Sequence, residues 1–175
     1  MCVNLPASCR GEIHYQPVHG ALKEFEQPSS QHFHLCTIVR QAVGEFAFAG
    51  FFFPGVRNNQ FSILQKFNSI EKQLLVVKGN CDSEVDQKML NVPITYPFLI
   101  LQIDRTRILA SHGHLFKEEE IISLSKKWHL NIIITGHTHK WKLETHGNFV
   151  WLNPGSTSIP KDSPSSFSLI DTDKR

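Results

Sequence analysis

No aspartate occurs before Asp82, so the first 81 residues carry none. At a usual frequency of about 5%, a run that long is expected about one or two times in a hundred. The same region is rich in phenylalanine, holding nine of the 13 before residue 70, so the chain has two unlike parts. A basic excess is lacking too: Lys+Arg 18 against Asp+Glu 16 gives a net charge of +2. That balance argues against a nucleic-acid partner, because binding to a phosphate backbone needs clustered positive charge. The four cysteines, Cys2, Cys9, Cys36 and Cys81, form neither a C-x-x-C pair nor a disulfide framework, which fits free thiols in a reducing compartment. No apolar run reaches the roughly 18 residues of a membrane span, and no secretory signal pattern opens the chain. The expectation is a cytoplasmic protein with no membrane partner. What is present, 175 residues with 41% hydrophobic and 19% charged side chains, suffices for one folded α/β domain.

Residues 1–55 show no clear periodicity, and Pro6, Pro17, Pro28 and Pro54 punctuate short runs. Residues 44–55 (GEFAFAGFFFPG) are too short to span a bilayer and read as a buried strand or an exposed apolar patch. Order begins near residue 58. Ile63, Phe67 and Ile70 predict a short amphipathic helix, and 74–78 (LLVVK) a buried strand. Residues 98–103 and 107–111 predict two strands joined by a turn at 104–106. Residues 118–128 predict a helix, with three glutamates in its first turn and Lys126 and Lys127 near its end. Residues 131–135 (NIIIT) predict an apolar strand, followed by strands at 141–145, 149–152 and 167–171. This alternation of helix and strand points to a layered α/β domain.

Three polar clusters directly follow apolar strands: Gly79-Asn80-Cys81-Asp82, His112-Gly113-His114 and Gly136-His137-Thr138-His139. In open α/β sheets the loops beyond the strand C-termini line the ligand crevice, so three such loops can converge on one site. Imidazole nitrogens and an amide oxygen suit borderline divalent ions, and a glycine beside each donor permits close backbone approach. A fourth cluster, Asn153-Pro154-Gly155-Ser156, follows FVWL and supplies a tight turn at the same edge. Alone, each H-x-H reads as a loop with solvated histidines, and Asn80 as a turn residue. Two H-x-H motifs and an asparagine, each abutting an apolar strand, point instead to a metal site.

GNCD, HGH, GHTH and NPGS, in this order, resemble the later motifs of the calcineurin-like metallophosphoesterase superfamily. The strings GNCDSEVDQ, HGHLF and NPGSTSIPK are similar to those of its small bacterial phosphodiesterases of the YfcE type, over residues 56–171. The resemblance implies a four-layer α/β/β/α sandwich that hydrolyses a small phosphate ester, using two divalent metal ions, frequently manganese. It implies that Asn80, His112 and His137 ligate one metal and that His139 closes the shell of the other. His114 matches no ligand position; a structural role and a substrate contact are both open. Cys81 stands where many relatives carry a proposed general-acid histidine; a proton-donating thiol and a buried small hydrophobe are both open. Asp82 either orients that loop or caps its turn.

The implied chemistry needs carboxylates. Two divalent ions roughly 3.5–4 Å apart lower the pKa of a shared water, and their four positive charges require anionic ligands beside them. The family supplies these from a D-x-H and a G-D in its N-terminal part, and neither is present here. Glu12-Ile13-His14 is the one E/D-x-H there, at chance frequency and with no apolar strand before it; His32-Phe33-His34 is a stray H-x-H. Residues 1–55 therefore read as an aberrant segment replacing the first strands, and 56–175 as the C-terminal part of the domain. Two origins are open, genuine divergence and translation of residues 1–55 in a shifted frame; the second accounts jointly for the missing aspartate, the phenylalanine excess and the aperiodicity. The function expected is a metal-dependent phosphoesterase impaired by the missing motifs. The alternatives are a non-catalytic scaffold of the same fold and a mononuclear metal-binding protein. If the frame is shifted, sequencing the coding DNA before codon 56 will reveal a D-x-H and a G-D in another frame; their absence from all frames will leave divergence as the origin.

Overall fold

The computed structural model describes residues 2–4, 12–17, 32–42, 45–54, 65, 67–69, 71, 74–82, 84–94, 96–103, 105–157 and 159–171. Two sheets organise them. The first contains β1 (Cys2–Asn4), β2 (Glu12–Pro17), β3 (His32–Ala42), β4 (Glu45–Pro54), β5 (Leu74–Lys78) and β11 (Ser166–Asp171), in the order β1-β2-β11-β4-β3-β5, with every pairing antiparallel. The second contains β6 (Phe98–Ile103), β7 (Thr106–Ser111), β8 (Ile132–Ile134), β9 (Trp141–His146) and β10 (Phe149–Pro154), in the order β6-β7-β8-β10-β9. Its three central strands, β7, β8 and β10, run parallel, and an antiparallel strand flanks each side. Among the described residues two helices have full bounds, α1 (Glu84–Met89) and α2 (Glu118–Lys127), and residues 65 and 67–69, within the expected amphipathic helix, are helical as well.

Strands of a parallel sheet covered on both faces read as continuous apolar runs, because alternate side chains enter two different cores. Ile108, Ala110, Ile132, Ile134, Val150 and Leu152 point toward the first sheet and meet Ile13 of β2 and Ile170 of β11. The residues between them, Leu109, Ile133, Phe149 and Trp151, point the other way and pack with Ile121 and Ile122 of α2 and with Leu130 and Trp128. The order from outside inward is thus helix, sheet, sheet. At the start of α2 the Glu120 carboxylate accepts the Lys117 backbone N–H at 2.7 Å. Glu118 and Glu119 share that first turn while Lys126 and Lys127 occupy the last, a charge order that suits the helix dipole.

The strands expected at 74–78, 98–103, 107–111, 131–135, 141–145, 149–152 and 167–171 are present within one or two residues of those bounds. Elsewhere the structure corrects the reading. Glu12–Pro17 is a strand although its sequence shows little apolar alternation, because Ile13 alone reaches the core while β1 and β11 supply backbone partners. Residues 32–42 and 45–54 form an antiparallel pair in which β3 also flanks β5. Residues 45–54 of the 44–55 run are a strand; its side chains, those of His32 and His34, and residues Gly44, Gly55, Ile63, Ile70 and Asp104 lie outside the described residues. Helix α1 had no counterpart in the periodicity. No helix among the described residues is long and apolar enough to cross a membrane.

Gly155 sits at φ +78°, and a Cβ there would fall on the Ser166 hydroxyl oxygen, whose proton is donated to Pro154 O at 2.8 Å. Gly155→Ala is expected to cost about 1–3 kcal/mol through strain, and Ile132→Ala about 2–5 kcal/mol through the cavity it leaves. Both are read as shifts of the urea unfolding midpoint.

Candidate functional site

The parallel strands β7 and β8 end at one edge of the second sheet, and their two histidine loops are joined there by backbone: Gly136 N–H donates to His112 O at 3.0 Å. His112, the first residue after β7, is buried. Gly113 follows at φ +99°, close enough to the neighbouring loop that a Cβ would stand 3.1 Å from Thr135 Cβ. That turn folds His114 back, so that His112 Nδ1 and His114 Nδ1 face each other at 3.0 Å. The His137 ring completes the group, with its centroid 5.1 Å from that of His112 and 6.1 Å from that of His114.

His137 and His139 both adopt left-handed backbone conformations, φ 65° and 59°. Such conformations store about 1–3 kcal/mol each in a non-glycine residue and persist where the surroundings over-determine them. Asn153 is the chief restraint on this loop. Its buried side-chain amide donates to Gly136 O at 2.7 Å and to Thr138 Oγ1 at 3.0 Å, while its Oδ1 accepts the Gly155 N–H at 3.0 Å. Trp151 Nε1 donates to Thr135 Oγ1 at 2.9 Å from the same strand. The sequence pointed to a turn at 153–156; the buried amide that ties it to the histidine loop was not legible there. His139 is held differently, through a 2.9 Å contact of its Nδ1 with Ile159 O.

Burial, and secondarily the nearby His137, holds the His114 pKa below the usual imidazole value. His139 is also lowered, chiefly by burial and further by Lys161 and His137, against the opposing pull of Ile159 O. Both shifts favour the neutral rings that metals coordinate.

The remaining candidates stand on other turns and strands. Asn80 is exposed in the turn after β5, a strand of the other sheet. Cys81 is an exposed free thiol, which overturns the buried-hydrophobe alternative. Asp82 is buried and its Oδ2 accepts the Gly79 N–H at 2.6 Å, so it caps the turn. Glu12 and His14 pair with each other at 3.3 Å on β2. A separate cavity of about 510 Å³ opens at the other end of β8, lined by Lys126, His129, Asn131 and His146 among others.

The three imidazoles gather at this edge, yet among the described residues no three His, Cys, Asp or Glu side chains are placed so as to hold a metal ion. The described donors alone do not fit a pair of divalent ions, whose four positive charges need carboxylates beside them.

The α/β fold with histidine loops at the ends of parallel strands defines the class: a layered domain with a polar crevice at one sheet edge. The chain belongs to the calcineurin-like phosphoesterase superfamily, whose domain model matches residues 28–175. That match begins inside the compositionally distinct N-terminal region. The chain is 38% identical over 112 residues to the phosphodiesterase YfcE of Escherichia coli K12, a stretch covering 63% of this chain and 59% of that one. It is 25% identical over 125 residues to a phosphodiesterase of Methanocaldococcus jannaschii, covering 65% and 70% of the two chains. The solved structure of the E. coli phosphoesterase Yfce superposes with a TM-score of 0.57 at 34% identity, over 69% of each chain. The alignment thus spans about three fifths of the length of YfcE.

Asn153→Ala removes two hydrogen bonds to the loop that carries His137 and a third within its own turn. It is expected to cost about 1–3 kcal/mol and to speed amide exchange at Thr138; an unchanged unfolding midpoint with unchanged exchange would contradict the restraint assigned to Asn153.

Proposed function

We propose that this chain is a catalytically impaired phosphoesterase of the calcineurin-like superfamily, built for a small phosphodiester substrate in the cytoplasm. The observation that carries the reading is that His112, His114 and His137 converge at one sheet edge while the first 81 residues hold no aspartate to join them. In the family reaction two divalent ions, manganese among them, supply a nucleophile at neutral pH and offset phosphate charge. The donors retained here are the imidazole and amide groups, with Asn80 and His139 in the positions that the motifs assign to ligands. The segment before residue 56 contributes none of the aspartates such a centre requires. The same edge offers neutral donors to phosphate oxygens, and the net charge of +2 supports a small ester rather than a nucleic-acid polymer. Cys81, exposed beside Asn80, is placed to meet a leaving group only if the substrate reaches across to the β5 turn.

Loss of the metal-bridging carboxylates removes several kcal/mol of transition-state stabilisation, which is a thousandfold or more in rate at about 1.4 kcal/mol per decade. Hydrolysis of bis-p-nitrophenyl phosphate with added Mn²⁺ is accordingly expected to be at least about a thousandfold slower in kcat/KM than for YfcE. Turnover equal to that of YfcE would overturn the impairment.

A further inference from the structure

The cavity of about 510 Å³ at the far end of β8 lies between the last turn of α2 and the turn joining β9 to β10. Its floor is apolar: Leu130 and Phe149 are buried and belong to the core beneath α2. One wall is flat, because the His146 ring stacks on Phe149 with centroids 5.2 Å apart and planes 13° from parallel. The His146 Nε2 meets Glu144 Oε2 at 3.1 Å, which holds that ring in place. The rim is polar, and three segments each bring one group to it: Lys126 from α2, His129 from the connection to β8, and Asn148 from the hairpin turn. Among the described residues these three side chains make no hydrogen bond or ion pair, and no acidic side chain lines the cavity.

The end of α2 is built to keep those groups available. Leu130 N–H donates to Ser125 O and Trp128 N–H to Leu124 O, each at 2.9 Å, while Arg107 Nη1 donates to Trp128 O at 2.6 Å. Carbonyls that would repel an anion at the negative end of a helix are thereby occupied. His129 follows the C-cap at φ 51°, a position where glycine is the usual residue. The turn thus carries an imidazole where its backbone favours no side chain at all.

We propose that this cavity binds a phosphomonoester carrying a flat ring, of the size of a mononucleotide. Its volume is that of a small-molecule site, in which an apolar lining is joined by a few convergent polar groups. The ring covers Leu130 and Phe149 beside the His146 wall, and the phosphate meets the rim. A phosphomonoester presents three oxygens in different directions, which suits one donor from each of three segments; a planar carboxylate presents two. Lys126 supplies a point charge, and His129 and Asn148 supply N–H donors. The site is separate from the histidine edge and requires no turnover there.

The test is calorimetric titration of the full chain with AMP in EDTA, with the bound position read from amide resonances. Wild type is expected to bind one equivalent of AMP, and adenosine and inorganic phosphate each at least about tenfold more weakly. The amides of Gly147 and Asn148 shift on binding, and those of His137 and Thr138 do not. Lys126→Ala and His129→Gly are each expected to weaken AMP binding by about tenfold or more. Glycine adopts a positive φ readily, so His129→Gly keeps or raises the thermal transition while it loses the ligand, which separates binding from folding. Lys127→Ala, in the same helical turn but outside the cavity, binds as wild type does. Equal losses in Lys126→Ala and Lys127→Ala overturn the site in favour of general charge attraction. Shifts confined to His137 and Thr138 put AMP at the histidine edge and overturn it as well, as does adenosine binding as tightly as AMP. No binding by wild type overturns it altogether.

Discussion

Three parallel strands buried on both faces are the constraint on which the rest of the molecule depends. Ile132, Ile133 and Ile134 are wholly excluded from solvent, and β7 and β10 bracket them with residues nearly as buried. Within such strands a polar side chain has no place to go, because either face leads into a core. Polar chemistry is therefore confined to the points where the strands stop. Since β7, β8 and β10 point the same way, those points fall on one edge, and His112, His137 and Asn153 are brought together by strand direction rather than by affinity for one another.

That edge is organised around neutral donors. Asn153 satisfies the carbonyl of Gly136 and the hydroxyl of Thr138 from a buried position, holding His137 between them in a strained backbone conformation. The buried carboxylate of the neighbouring loop, Asp82, is committed to the Gly79 amide. Lys140 is paired with Asp162, so that carboxylate too is engaged in an ion pair. The outcome is a crevice in which burial, with His137 nearby, lowers the pKa of His114 and His139.

Elements whose residues enter two cores were legible in the sequence. NIIIT and FVWL announce β8 and β10 because nearly every side chain is apolar, and the glutamates and lysines of α2 mark its ends through the helix dipole. The motifs GNCD, HGH, GHTH and NPGS placed the loops correctly behind their strands. Less legible was whatever depends on a distant partner. Glu12–Pro17 carries one core residue and becomes a strand through backbone pairing with β1 and β11. The antiparallel placement of β3 against β5 has no signature in either segment alone. The exposure of Cys81 and the capping by Asp82 are set by how one turn closes, which side-chain type does not specify.

By itself, the sequence determined which donors this protein possesses and in what order they follow apolar strands, because strand burial and turn chemistry are local matters of residue type. The absence of aspartate from the first 81 residues is likewise a property of the chain alone. Only the tertiary structure decided which donors meet. It set His114 against His112 through the left-handed turn at Gly113, drew His137 toward both, and left Asn80 in the turn after β5, a strand of the other sheet. The physical reason is that convergence depends on the direction and sheet membership of strands far apart in sequence, which long-range backbone pairing settles.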